Sequence, residues 1–358
     1  MMKSFPILRI RKATLKMAFV GLLGMGLFSL RQPGQFYRSY LFAYLLCLGI
    51  GLGCLGFLLL HSLTGGAWGK AGRHVFQSGA DTLPWLAALF LPILFGLHRI
   101  YPWMDPMALL TESPAAAHKR IYFALPFFMI RAAVYFALWW WMGLRQREST
   151  KGSGIQLLVY VLTVSFSSFD WVMSLEPNWS SSIYGAMLMV GDVLSALAFA
   201  VLVLNWRSQA EDGRADIIPD DTAHDLGNLL LAFVMLWAYM GLSQYMIIWS
   251  GNLPEEISWY LVRQRGGWQA VAILLILFQF ALPFLLLLAR KRKRKLESLA
   301  RVAGLILVLR VVDVFWLTAP DFSPGVLSIH VLDFLALLLV GGAWMSVFCS
   351  HLQLEETA

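Results

Sequence analysis

The chain has 358 residues, 59% of them apolar and only 14% charged, whereas a soluble domain carries about 25% charged residues. That composition excludes a soluble enzyme, and the formal charge of +7 is not gathered into any basic domain that would suit nucleic acid. Apolar runs of about 20 residues recur from end to end, long enough to cross a bilayer as helices, so the expected fold is an all-α polytopic membrane protein.

Ten spans are expected in one integral membrane domain, 1–358: about 15–30, 39–63, 83–100, 121–144, 155–175, 182–206, 226–250, 267–290, 299–318 and 326–349. The N-terminus carries Lys3, Arg9, Arg11, Lys12 and Lys16 ahead of its apolar run, but GLFSLRQPG offers no small-x-small cleavage site, so the first span is expected to be retained. With that end inside, 19 of the 28 Lys and Arg residues fall in inside segments and seven in outside ones; Arg131 and Arg310 lie within spans. The basic run RKRKRK at 290–295 dominates the inside set and suits an anionic leaflet, and both termini are expected on the cytoplasmic side. The polar stretch 207–225 reads as a surface linker dividing six spans from four. IRAAVYFALW at 130–139 and LRVVDVFWLT at 309–318 echo each other weakly, as an inverted repeat would.

Cys47, Cys54 and Cys349 lie in apolar runs and make no zinc, iron–sulfur or c-haem spacing. Walker and dinucleotide glycine motifs are absent. The glycines of GIGLGCLG at 49–56 suit close helix packing.

Charged groups in the hydrocarbon core are costly and face a bundle interior or a water path. Arg131, Asp170, Asp192, Arg310, Asp313 and Asp333 are in this position, with His61 and His330 nearer span ends. In the fifth span, Gln156, Tyr160, Thr163, Ser167, Asp170 and Ser174 are spaced 4, 3, 4, 3, 4, which places them on one helix face. Two readings stand: a row that orders water and passes protons, or helix–helix hydrogen bonds inside a bundle. Asp170, Glu176, Asp192, Asp313, His330 and Asp333 all fall toward the outer half. They would serve an outward half-channel, with Asp170, Glu176 and Asp192 lining a polar cavity between spans five and six. Arg310 and Asp313, at i and i+3, are expected to pair, and so are His330 and Asp333. Arg131 needs a carboxylate that the sequence does not name. His61 and His224 read as interfacial anchors. Gln244, Tyr245, Trp249, Glu255 and Glu256, at the end of span seven and in the next loop, form a candidate quinol cleft, although the Trp residues also suit an interfacial belt and the Glu pair after Pro254 a helix start.

The segments FDWVMSLEPNW (169–179), SQYMIIWSGNLPEEISWYLVR (243–263) and LRVVDVFWLTAPDF (309–322) resemble the second quinone-binding-type membrane subunit of alternative complex III, a quinol:cytochrome c oxidoreductase, within the NrfD-like, polysulfide-reductase membrane-subunit superfamily. The resemblance is specific from about 155 to 325. It implies two four-helix bundles plus peripheral helices in a bacterial inner membrane. It also implies a sister ten-helix subunit, an iron–sulfur subunit and c-haem subunits as partners. Haem c and iron–sulfur clusters are then expected on those partners and no cofactor or metal on this chain, which would support proton translocation and assembly without being catalytic alone. Direct quinol binding and secondary transport stay open as alternatives.

Overall fold

The computed structural model describes residues 5–105, 121–149, 151–209 and 218–357. Among them there is no strand, and ten helices are long and apolar enough to cross a membrane: Ile7–Ser29, Pro33–Thr64, Ala67–Phe95, Leu125–Glu148, Ser153–Leu175, Tyr184–Ser208, Asp220–Gly251, Trp268–Leu288, Leu296–Asp321 and Val331–Leu354. The chain is an all-α, multi-pass membrane protein. The spans are called first to tenth below.

The second to fifth spans pack on one another, and so do the sixth to ninth. The two groups meet where the second span lies along the sixth, and the first and tenth spans pair at the side. In the most apolar stretch of each helix, 89% of the second span and 78% of the sixth are buried, against 22% in the first, seventh and eighth. The middle of the protein is therefore the seam between the second and sixth spans, and the outer helices leave most of their surface exposed.

Glycine makes that seam narrow. A Cβ on Gly49 would run into the Asp192 carboxylate, and one on Gly53 into the Asp192 backbone carbonyl. GIGLGCLG thus performs the close packing its composition suggests.

The third span departs from expectation. Its helix starts at Ala67, directly after a turn made by Gly65 and Gly66 at positive φ, and includes Lys70 and Arg73. Low hydropathy hid this part because its polar groups point at protein: Arg73 Nη2 donates to Gln146 O (2.8 Å) and Gln77 Nε2 to Gly143 O (3.3 Å). The seventh span likewise begins at Asp220, inside the stretch read as a linker; 210–217 lie outside the described residues, as do Lys3, Lys119, Arg120 and Arg214.

Two spans contain π-helical turns, at Leu275–Ala281 and Leu337–Gly341. In the eighth span, Leu282 N bonds Leu277 O five residues back, immediately before Pro283. A proline ring crowds the carbonyl four residues earlier, so the widened turn accommodates it.

Alternation of the spans puts the EPNW turn (176–179), the helix Pro254–Arg263 and the segment 319–330 on one face, here the EPNW face, and the RKRKRK run on the opposite, basic face.

Candidate functional site

Two guanidinium–carboxylate assemblies lie inside the helix groups. In the first, Asp170 receives Arg131 through two hydrogen bonds, Nε to Oδ2 and Nη2 to Oδ1, both 2.9 Å, and Tyr135 Oη donates to Oδ2 at 2.9 Å. Arg131 spends a further donor on Tyr122 O (2.7 Å), and its guanidinium lies 3.9 Å from the Tyr122 ring centre and 4.5 Å from that of Phe127. Asp170 is fully buried. Such a fork-to-fork pair fixes both geometry and charge. The sequence left Arg131 without a partner, and the structure supplies it from the next span. Next to this pair, Tyr101 Oη donates to Trp171 O (2.9 Å); burial first, then the Asp170 charge, pushes the Tyr101 phenol up, so it remains a donor.

The rest of the fifth-span row is buried on one face, as its spacing indicates, but each member bonds a different neighbour. Gln156 accepts from Gln146 (2.9 Å), Tyr160 Oη donates to Leu52 O (3.0 Å), and Thr163 accepts from Trp139 Nε1 (2.9 Å). Ser167 Oγ donates to Val164 O (2.9 Å) and Ser174 Oγ to Asp170 O (2.6 Å). Every hydroxyl of the stripe donates to a backbone carbonyl.

The second assembly lies among the sixth, seventh and ninth spans. Arg310 donates through Nη1 to Asp313 Oδ2 and through Nε to Ser195 Oγ (3.0 Å). Asp313 Oδ2 also accepts from Trp237 Nε1 at 2.9 Å. Gly191 admits the guanidinium, because any Cβ there would strike it. Asp192, the next residue, is within electrostatic reach of Arg310, Asp313 and Tyr160. No side-chain hydrogen bond reaches its carboxylate from the described residues. Among the described residues, one cation therefore faces two carboxylates here, whereas Arg131 faces one.

Asp192 borders a cavity of about 30 Å³ between the second, fifth, sixth and ninth spans, lined also by Ser167, Ser168, Trp171 and Thr318. Neither Asp170 nor Glu176 is in its lining.

His330 and Asp333 form a helix cap. His330 Nδ1 accepts from Leu332 N (3.1 Å) and Asp333 Oδ2 from His330 N (2.8 Å). Asp333 Oδ1 accepts from Ser39 Oγ at 2.5 Å, tying the tenth span to the second.

The proposed quinol-cleft residues diverge. Gln244 is buried, whereas Tyr245 and Trp249 are exposed. Glu256 lies on the helix Pro254–Arg263, where its backbone carbonyl accepts from Trp179 Nε1 (3.0 Å). The side chain of Glu255 lies outside the described residues.

Sequence reading placed Arg263 in an outer loop, but it is buried. It pairs with Asp321 (2.9 Å), donates to Leu317 O (2.8 Å) and lies 3.6 Å from the Trp259 ring centre. Trp259 stacks on Trp179 with centroids 5.0 Å apart. The EPNW turn, the helix Pro254–Arg263 and the end of the ninth span are thus knotted together, and the three segments that carry the family resemblance converge there. The four-residue step from Trp259 to Arg263, on one helix face, was the available signal. Gln279, 0% exposed in the eighth span, was also missed; its amide and that of Gln244 have no partner among the described residues.

Among the described residues there is no group of three metal-ligating side chains. No family model matches the chain, and no curated protein is similar enough to count as a relative.

Proposed function

We propose that this chain is an integral membrane subunit of a bacterial quinol:cytochrome c oxidoreductase of the alternative complex III type, supporting proton movement and assembly without carrying electrons itself. The single observation that carries the proton reading is the second assembly: a carboxylate in excess of its cation, deep in the seam between helix groups and bordering a water-sized cavity. Buried charge without a partner is costly, so such a group is kept where it has work to do. The resemblance of 169–179, 243–263 and 309–322 supports the complex, and so does the convergence of those segments at one knot on the EPNW face. In this reading the EPNW face is outer, the basic face is cytoplasmic, and both termini are cytoplasmic in the inner membrane. A sister ten-helix subunit, an iron–sulfur subunit and c-haem subunits are the partners, with haem c and the clusters on them and none on this chain. The bidentate Arg131–Asp170 pair is a structural clamp in this scheme.

The test is a gentle-detergent pull-down of the tagged chain from native membranes, recording the visible spectrum and the co-purifying polypeptides. Haem c absorption with an iron–sulfur subunit and a second ten-helix chain supports the reading. A colourless, lone protein from membranes that hold the haem subunits refutes it and favours a transporter. Direct quinol binding gains less support, because Gln244 is buried whereas Tyr245 and Trp249 are exposed.

A further inference from the structure

We infer that the cavity bordered by Asp192, Ser167, Ser168 and Thr318 is a water site at which Asp192 takes up and releases one proton. Three features carry the inference. The first is donor and acceptor supply. Ser167 and Ser168 Oγ both donate to Val164 O (2.9 and 2.7 Å), and Thr318 Oγ1 donates to Val314 O (2.9 Å). Each hydroxyl has one hydrogen, so what it can offer the cavity is lone pairs. With the Asp192 carboxylate, the wall is rich in acceptors. Trp171, whose indole N–H has no acceptor among the described residues, also lines it. Water, which donates twice and accepts, fits this wall. A cavity of about 30 Å³ has room for about two waters, since one needs roughly 10–15 Å³.

The second feature is charge. Around Asp192 stand Arg310 and Asp313 from the ninth span and the Tyr160 phenol from the fifth. Arg310 is committed to Asp313 and Ser195. With both carboxylates ionised the cluster carries one negative charge in excess; with one proton bound it is neutral. Asp313 is pinned by Arg310 and Trp237, so the exchangeable proton belongs on Asp192. Uptake forms an O–H bond on an Asp192 oxygen and breaks one in a hydronium, which leaves as neutral water; release reverses this.

The third feature is access. Asp192 keeps some free surface while Gly191 and Val193 beside it are buried. The cavity that Asp192 lines is the access we assign to that surface. Gly49, tight against the carboxylate, lines the same cavity.

The inference rests on the proton-moving reading for its physiological meaning, but the site is testable on the chain itself. Infrared difference spectra of the full chain in lipid nanodiscs, stepped in pH, read the carbonyl stretch of a protonated carboxyl. The expected result is one such band that shifts in D2O and is lost completely in Asp192→Asn, while circular dichroism shows unchanged helix content. If Asp192→Asn does not fold, Asp192→Glu replaces it, and the band should move rather than disappear. A band that survives Asp192→Asn, or one that ignores D2O, overturns the inference. So does loss of the band on adding sodium at fixed pH, which would put a metal cation in the site. A lone, colourless chain in the pull-down with an intact Asp192 band would remove the redox complex and leave the proton site standing.

Discussion

The two intramembrane arginines make an instructive pair. Arg131 and Arg310 sit in segments whose sequences echo each other, and each meets an aspartate deep in a helix group. Around Arg131 the described residues balance: one cation, one anion, and a Tyr135 hydroxyl and a Tyr122 carbonyl as further partners. Around Arg310 the balance is open, because Asp192 is a second carboxylate facing the same cation. A closed pair holds helices in register; an open one has a protonation state to change. Chemistry of the same kind thus serves as mortar in one bundle and as a candidate site in the other.

The sharpest way to break the comparison is at Asp170. Asp170→Ala strands Arg131 in the bilayer interior, and removing one partner of a buried pair destabilises by ~3–5 kcal/mol. Little folded protein is expected from size-exclusion profiles of detergent extracts. The double variant Arg131→Met with Asp170→Leu should recover most of that yield. If the double variant folds but proton release in the complex stops, Asp170 belongs to the path and the contrast between the bundles fails. Asp313→Ala should be milder, about 2–3 kcal/mol, because Asp192 remains to face Arg310; a loss as large as that of Asp170→Ala would show that Asp192 gives Arg310 no relief. Trp237→Phe removes one hydrogen bond to Asp313 and should cost about 1 kcal/mol in thermal unfolding. At the small end, Arg147→Gln removes a half-exposed pair with Asp81 on the basic face and should change stability by ~0–1 kcal/mol.

Much of this was legible in the sequence. Composition and apolar run length give the fold class, because helices that face lipid must be uniformly apolar. The fifth-span spacing marks a buried face, and the Arg310–Asp313 spacing gives a pair, because both rest on contacts within one helix turn. The partner of Arg131 was not legible, since it depends on how the fourth span lies beside the fifth. Arg263 was misplaced for a related reason: a short amphipathic helix folded back onto the EPNW face looks like a loop when only long apolar runs are sought. The role of Asp192 was half legible. Its depth marked it, but its cavity partners come from the fifth and ninth spans, and its separation from Asp170 needs the packing of four helices.

The spacing of the two pairs also bears on how the protein enters the bilayer. Arg310 and Asp313 are one turn apart on a single helix, so the ninth span can partition from the insertion machinery into lipid with its charges already matched. Arg131 and Asp170 are on different spans, 39 residues apart. The fourth span therefore has to wait, at the lateral gate or beside it, until the fifth arrives, and the two enter as a hairpin. Insertion measured span by span should show the ninth entering alone and the fourth entering only when the fifth follows.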